Sequence, residues 1–348
     1  MTVIIVITLL SLLIMAHELG HLITAKLAGV KVEEFGMGFP PRLAAFRWGE
    51  TEYSINLLFF GGFVRLLGED EATGPRSLAG KSKKVRLMVL SSGALVNIVL
   101  PLFLFTGSFL LPREVAVGDV TIMEVAPASP AERVGLLPGD RVVEVEGRKV
   151  NNHLDLTYQI QLNLGRPMDL VIERDSSLRQ FTLTPRWRPP SSEGSVGVLI
   201  TTGNTNVEQV SYSPLQAMSR GVRTLADTFQ LLRNEIISWI VGRTSPQVGG
   251  PVAIVQIGGE MARAGPGPLL AFTGFISINL AIINILPLPG LDGGRLFFLG
   301  LEAVRRGRRV SPQKERLVHF FGFVTLLALL LLVSYYDLMR MLGGESLP

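Results

Sequence analysis

The chain has 348 residues, of which 47% are hydrophobic and 18% are charged, and it contains no cysteine. Its mean hydropathy of +0.38 is too high for an ordinary soluble enzyme of this size, so we expect a multi-pass α-helical membrane protein. The lack of cysteine excludes disulfides and thiolate metal ligands. The net charge of +4 does not indicate nucleic-acid binding, because the basic residues follow membrane topology and are not interleaved with stacking aromatics.

Four runs, without charged residues apart from Glu18 in the first, are long enough to cross a bilayer, and they predict four transmembrane helices at 2–25, 87–111, 269–291 and 317–336. The first run lacks a basic start and a small-residue cleavage site, so we expect it to remain as a span. The loops after the first and third spans are rich in lysine and arginine, which predicts that both are cytoplasmic. Both termini and the segment 112–268 are then expected on the extracytoplasmic side.

The first predicted helix carries the run His17-Glu18-Leu19-Gly20-His21. Histidines four residues apart lie about 40° apart around a helix, so both imidazoles can bind one metal ion. Glu18 lies beside them, in a position that suits a base acting on water. A polar stripe facing other helices is the structural alternative, but ionisable groups in a membrane segment are costly unless they are paired or functional. We therefore predict a hydrolytic metal site near the cytoplasmic end of this span.

Residues 35–68 predict a β-hairpin in the first cytoplasmic loop, with its turn at Gly49-Glu50. The apolar strand 59–64 is softened by Gly61 and Gly62. A free strand edge recognises the backbone of an extended peptide without demanding its sequence, so we expect substrate to bind at these glycines. The alternative is a hairpin that serves packing alone.

Residues 112–188 predict a small extracytoplasmic α+β domain. The run from Ala126 to Asp140 is similar to the turn, short helix and loop of bacterial PDZ domains. A PDZ groove can bind a peptide by strand addition, but no glycine-rich carboxylate-binding loop precedes Val120. A filter that excludes bulky ectodomains is therefore an equal alternative to a peptide-binding role.

Residues 189–268 predict a linker followed by an amphipathic helix. The stretch 189–206 is rich in Pro, Ser, Gly and Thr, with a short apolar strand at 196–200. Apolar and charged residues separate onto two faces over 215–241, which predicts a helix on the outer membrane surface or against the helix bundle.

A catalytic zinc site usually has three protein ligands and one open position, so a third ligand must join the two histidines. The third span runs in the same direction as the first, and its cytoplasmic end brings Asp292 to about the depth of the motif. Pro287 and Pro289 break the helix there, which is tolerated at membrane depth only where the backbone is buried in protein or lines a cavity. His319 is the rival third ligand, and a solvated Asp292 after a simple helix stop is the plainer alternative.

Three motifs together resemble the site-2 protease family of intramembrane zinc metalloproteases, in its bacterial regulator-of-sigma-E branch. They are His17–His21, the Asn-x-x-Pro-x-Pro-x-Leu-Asp-Gly pattern at 284–293, and Gly93-x-x-x-Asn97. The resemblance covers essentially the whole chain. It departs from many relatives in having room for a single PDZ domain where they carry two.

The resemblance implies roles for individual residues. It implies that His17, His21 and Asp292 bind Zn²⁺ and that Glu18 is the general base. It also implies that Asn284 holds the substrate backbone and that Asn97 lies near the site, although an asparagine in a span also bridges helices by hydrogen bonding.

The function that follows is a zinc-dependent intramembrane endopeptidase of the bacterial cytoplasmic (inner) membrane, with domains at 1–111, 112–188, 189–268 and 269–348. Its expected partners are the bilayer, single-pass membrane substrates such as anti-sigma factors or remnant signal peptides, and a peptide ligand of the PDZ-like domain. The alternative is a catalytically silent membrane adaptor, but such a scaffold needs no general base. A metal transporter is a weaker alternative, because the polar cluster lies at one depth.

Overall fold

The computed structural model describes residues 2–69, 71–190, 193–242 and 249–343. The chain divides into two compact units, one comprising 1–108 with 248–348 and the other 109–247. Within the described ranges the elements are, in chain order, α1 (Thr2–Leu27), β1 (Val32–Trp48), β2 (Thr51–Leu66), α2 (Lys83–Leu110), β3 (Arg113–Val125), α3 (Pro130–Arg133), β4 (Arg141–Val145), β5 (Arg148–Lys149), α4 (His153–Leu162), β6 (Met168–Arg174), β7 (Ser177–Leu183), β8 (Val198–Val210), α5 (Pro214–Ile240), α6 (Pro251–Ala264), α7 (Pro266–Ile285), α8 (Asp292–Val304) and α9 (Pro312–Leu342).

Four of the described helices, α1, α2, α7 and α9, are long and apolar enough to cross a membrane. Their number and order agree with the four predicted spans, and with the β-sheets they fit a multi-pass membrane protein with a β domain. The helix of the third predicted span, α7, ends at Ile285, however, and not at 291 as predicted. Leu286 precedes a proline and adopts an extended conformation (φ −57°, ψ 141°), which ends the helix. Asp292 therefore begins α8 and does not belong to the third span.

The predicted hairpin is present as β1 and β2, with its turn at Gly49-Glu50. Its pairing is more extensive than a simple hairpin. Residues 34–37 of β1 pair with 52–55 of β2 on one side and with 62–65 on the other. The segment 62–66 is therefore an edge of this sheet, because no further strand pairs with it among the described residues.

The second unit contains a sheet with the strand order β7-β6-β4-β3-β8, and β5 adds to β4. Its core includes Val120, Ile122 and Ile172, which are buried almost completely. The linker predicted at 189–206 needs correction, because β8 pairs with β3 along its whole length, from Val198 to Val210. The short strand predicted at 196–200 overlaps the start of β8, whereas the residues after it are mostly polar and β3 supplies their hydrogen-bond partners. Residues 191 and 192 of the predicted linker lie outside the described residues.

The amphipathic helix predicted at 215–241 is present as α5, and it packs against α4 of the same unit. The Gln230 side chain donates to the carbonyl of Leu162 at 2.6 Å, and the Asn234 side chain donates to that of Gln161 at 2.7 Å. The following residues form a further helix, α6, which was not predicted and which packs against α1, α7 and α9.

Asp140 stabilises the turn before β4 by hydrogen bonding, and replacing it should destabilise the second unit. Its buried carboxylate accepts hydrogen bonds from Arg174 at 2.6 and 2.7 Å and from the Leu137 N–H at 2.8 Å. The Asp140→Ala variant leaves a mostly buried guanidinium unpaired, so we expect it to lose about 3 kcal/mol of unfolding free energy. Hydrogen exchange at β4 and β6 amides in the intact protein measures this loss.

The same carboxylate predicts a pH dependence. Burial raises the pKa of Asp140, but the hydrogen bonds from Arg174 and Leu137 outweigh burial and hold the pKa below its usual value. The stabilisation is therefore complete above about pH 4 and is lost as pH falls through the lowered pKa. Exposed Glu124 is the control, and its alanine variant should change stability by less than about 0.5 kcal/mol. Equal exchange in both variants at neutral pH would contradict the prediction.

Candidate active site

Three side chains from two distant parts of the sequence meet at one point beside α1. The Oδ2 atom of Asp292 lies 3.0 Å from Nε2 of His17 and 3.0 Å from Nε2 of His21. The two Nε2 atoms lie 3.2 Å apart, and both histidines are buried. This group of three could hold a metal ion.

The donor set fits zinc. Zinc bonds of about 2.0–2.1 Å in a tetrahedral site place ligand atoms about 3.3 Å apart, close to the three observed separations. The Nδ1 atom of His21 donates to the carbonyl of Val89 at 2.8 Å, so its Nε2 carries the lone pair that faces the cluster. Three electron-rich atoms at such separations repel one another unless a cation or a proton lies between them. The cluster therefore has the chemistry of a cation site.

Helix α2 approaches this cluster closely because residue 93 is glycine. A Cβ atom at Gly93 would lie 2.6 Å from Cε1 and Nε2 of His17 and would also overlap Nε2 of His21. The two helices are also in contact one turn further along α1, where the Thr24 hydroxyl donates to the Ser92 hydroxyl at 2.8 Å. Gly93 belongs to a motif noted in the sequence, but its steric role becomes visible only when α1 and α2 are placed side by side.

The break between α7 and α8 brings Asp292 to the histidines. Gly290 has φ of +97°, a conformation that strongly favours glycine, and its N–H donates to Nδ1 of His319 at 2.9 Å. A Cβ at Gly294 would lie 2.6 Å from the carbonyl of Leu288, so the chain folds tightly back on itself. His319, the rival ligand, thus contacts the break and is not a member of the three-residue cluster.

Glu18 lines a cavity of about 430 Å³ that opens beside the cluster. A Cβ atom at Gly62 would lie 3.6 Å from Cγ of Glu18, so the β2 edge passes beside this side chain. The cavity is also lined by His21, Asp292, several residues of the β2 edge, and side chains from α8 and α9. A carboxylate beside two imidazoles and an open cavity can take a proton from a water molecule held there.

The glycines and asparagines that were predicted to bind substrate lie at different places in the structure. Gly61 and Gly62 pack against α1, and a Cβ at Gly62 would lie 2.6 Å from Sδ of Met15. Asn97 is buried, and neither polar atom of its side chain has a hydrogen-bond partner among the described residues. Asn284 is half-buried in the last turn of α7 and does not line the cavity of Glu18.

Comparison with known proteins identifies the family. The profile of peptidase family M50 matches residues 5–329. A Clostridium perfringens protein named as a candidate zinc metalloprotease is 34% identical over 329 residues, covering 94% of this chain and 96% of the relative. The zinc metalloprotease RasP is 28% identical in Oceanobacillus iheyensis, with 98% and 99% of the two chains covered, and 30% identical in Geobacillus kaustophilus, with 94% and 95% covered. The chain therefore belongs to peptidase family M50, the site-2 proteases, and is a zinc metalloendopeptidase.

Proposed function

We propose that this zinc metalloendopeptidase cuts peptide bonds in or near the transmembrane segment of single-pass membrane proteins. His17, His21 and Asp292 are the zinc ligands, and Glu18 is the general base. The observation that carries the proposal is that Asp292 meets His17 and His21 beside α1, the helix that carries both histidines and is long and apolar enough to span a bilayer.

The chemistry divides between the metal and the chain. When bound, zinc supplies Lewis acidity, which makes water a stronger acid and polarises the scissile carbonyl. Glu18 accepts a proton from the attacking water and then delivers it to the leaving amide nitrogen. Low exposure of both histidines keeps bulk water away from the ligands, so their interactions with charge are strengthened.

The β2 edge supports a mode of substrate binding. Its residues 62–66 pair with β1 on one side, and the edge passes Glu18, since a Cβ at Gly62 would lie 3.6 Å from Cγ of Glu18. Gly62, Phe63 and Val64 line the cavity. We therefore expect a substrate, unwound around the scissile bond, to add a strand to this edge beside Gly61 and Gly62. Asn284 and Asn97 are assigned to holding the unwound segment, in line with the family motif.

Strand addition predicts an alternating response to changes in the substrate backbone. Replacing single amides by esters near the scissile bond removes one N–H donor at a time. Each donor that pairs with the edge is worth about 1 kcal/mol, so kcat/KM should fall about fivefold at every second residue. A synthetic single-span substrate series measures this. The intervening esters are the controls, since they unwind the substrate helix equally without touching the edge. A response without alternation would contradict strand addition.

The position of cleavage tests the proposed function itself. The purified protein is reconstituted in liposomes with a single-span reporter, and products are mapped by mass spectrometry. We expect zinc-dependent cleavage within or next to the reporter's apolar segment. Cleavage confined to soluble flanking sequence, with equal rates on a soluble peptide of the same sequence, would overturn intramembrane proteolysis.

The cellular setting follows the same resemblance. The protein is assigned to the bacterial cytoplasmic membrane, with basic loops inside and both termini and the second unit outside. Its substrates are then membrane-anchored anti-sigma factors or remnant signal peptides in regulated proteolysis.

The second unit is proposed to be a PDZ-like domain whose groove lies between α4 and β8. His153, the first residue of α4, contacts the Thr202 hydroxyl of β8 through its N–H at 3.1 Å. Strand β8 ends the sheet among the described residues, so its outer edge can accept a peptide. The loop that corresponds to a carboxylate-binding loop would then precede β8, where Gly194 and Gly197 lie. Saturable binding of C-terminal peptides would favour a peptide groove, and its absence would favour the size filter.

A further inference from the structure

A second large cavity, of about 550 Å³, lies wholly within the unit 109–247. Its walls come from the beginning of β3, the end of β8, β5, α4 and α5. It is separate from the groove proposed between α4 and the middle of β8, and no catalytic role is assigned to its residues. Its chemistry therefore needs its own account.

The cavity carries an excess of positive charge. It is lined by five cationic and three acidic side chains: Arg113, Arg148, Lys149, Arg220 and Arg223, with Asp155, Glu208 and Asp227. The Arg148 guanidinium forms an ion pair with Asp227 through two hydrogen bonds of 2.5 and 2.9 Å. Asp155 accepts the Asn151 backbone and side-chain N–H groups, each at 3.0 Å. The other four cations form no ion pair with a carboxylate in the described part of the chain, which leaves a site suited to an anion.

Aromatic rings hold two of these guanidinium groups. Arg113 lies 4.7 Å from the ring centre of Phe109 and 5.7 Å from that of Tyr212. Arg220 lies 4.0 Å from the ring centre of Tyr212. The Nε atom of Arg113 is buried and has no hydrogen-bond partner among the described residues. Stacking uses the faces of a guanidinium and leaves its N–H edge available, which is the edge that binds phosphate oxygens in pairs.

The chain places this cavity close to a bilayer surface. Phe109 belongs to the last turn of α2, a helix long and apolar enough to span the membrane, and Arg113 follows its end by three residues. Three residues of extended chain reach at most about 11 Å, and the headgroup region is about 5–8 Å thick on each side of the hydrocarbon core, so Arg113 lies within or just beyond that region. Helix α5 adds exposed apolar side chains beside the arginines, with Leu215 82% and Val222 51% exposed. Basic, aromatic and apolar groups thus coincide in a cavity that includes the end of a membrane-spanning helix, the combination that binds at a lipid headgroup.

We propose that this cavity binds the phosphate of a phospholipid headgroup, with Arg113, Arg220 and Arg223 as the main contacts. Lys149, which also lines the cavity, adds positive charge, and the apolar face of α5 accommodates the start of the acyl chains. The proposal requires that α2 spans a membrane but does not depend on the peptidase mechanism.

Lipid binding by the full-length protein tests the proposal. Native mass spectrometry of detergent-solubilised protein gives apparent Kd values for short-chain phosphatidylglycerol and, in a second arm, inorganic phosphate. The double variant Arg220→Gln/Arg223→Gln removes two exposed cations of the cavity. We expect its affinity for the lipid to fall about thirtyfold. The control Arg166→Gln/Arg179→Gln removes two exposed arginines of the same unit that do not line the cavity, and its affinity should stay within about twofold.

Each remaining outcome decides the question. Hydrogen exchange at β6 amides, equal in the two double variants, establishes that a lost affinity is not lost folding. Equal lipid affinity in Arg220→Gln/Arg223→Gln and wild type overturns the proposal. Saturable binding of inorganic phosphate with no lipid binding overturns the lipid as the source of the phosphate. Displacement of the lipid by a peptide's C-terminal carboxylate, at lower concentration than by phosphate, overturns the site as a headgroup site.

Discussion

Replacing Glu18 by glutamine should abolish peptide hydrolysis while the protein keeps its zinc. Glutamine has the shape of glutamate but cannot accept a proton from water, so the rate should fall by about 10³. The residue lies beside His21 and Asp292 in the cavity but outside the three-atom ligand cluster. Zinc content, measured by elemental analysis, should therefore equal that of wild type. Cleavage of the single-span reporter gives the rate.

The matched control is Glu260→Gln, which makes the same chemical change at an exposed position on α6. It should keep both zinc and activity. A Glu18→Gln variant that cleaves as fast as wild type would leave a catalytically silent adaptor as the better account. Loss of zinc from Glu18→Gln would instead make this residue a metal ligand and contradict its role as base.

Replacing Gly93 by alanine should weaken zinc binding, although residue 93 carries no ligand atom. The added methyl group would occupy the space of both imidazoles, so either α2 moves away or a histidine rotates out of the cluster. Disturbing the support of metal ligands typically costs ten- to hundredfold in affinity, and we expect a loss of about that size. Competition with a chelator measures the zinc Kd, and activity should fall in parallel at limiting zinc.

Gly107→Ala is the control on the same helix. A Cβ at Gly107 would meet its nearest neighbour, Cδ1 of Leu270, at 3.5 Å, which is ordinary contact. The two variants change helix propensity equally and differ in the space available. A Gly93→Ala protein with wild-type zinc affinity would mean that α2 does not approach the histidines as closely as described.

The parts of the fold that could be predicted are those in which one strong local signal decides the structure. Uncharged runs of about twenty residues identify spans, and the alternation around Gly49-Glu50 identifies a hairpin turn. Strand β8 gives such a signal only at its start, within the short strand predicted at 196–200. Its mostly polar remainder depends on pairing with β3. The pairing of residues 34–37 with 62–65 is equally non-local. The alternation of apolar and polar residues within a strand does not specify which segment pairs with its second edge.

The candidate site shows the same division. Parallel spans and comparable depth were enough to expect Asp292 near His17 and His21, and the structure brings the three together. Pro287 and Pro289 predict the helix break, but the start of α8 at Asp292 depends on tight packing of Gly290 and Gly294 that no periodicity encodes. The Val89 carbonyl that orients His21 is a backbone group, so the amino-acid sequence does not predict this hydrogen bond.

The zinc content of two variants tests whether His17, His21 and Asp292 form the metal centre. Asp292→Ala removes the third member of the cluster, and His319→Ala removes the other candidate ligand at the same cavity. Elemental analysis after removal of weakly bound metal should find almost no zinc in Asp292→Ala and a wild-type amount in His319→Ala. Zinc retained by Asp292→Ala, or lost from His319→Ala alone, would contradict the proposed metal centre.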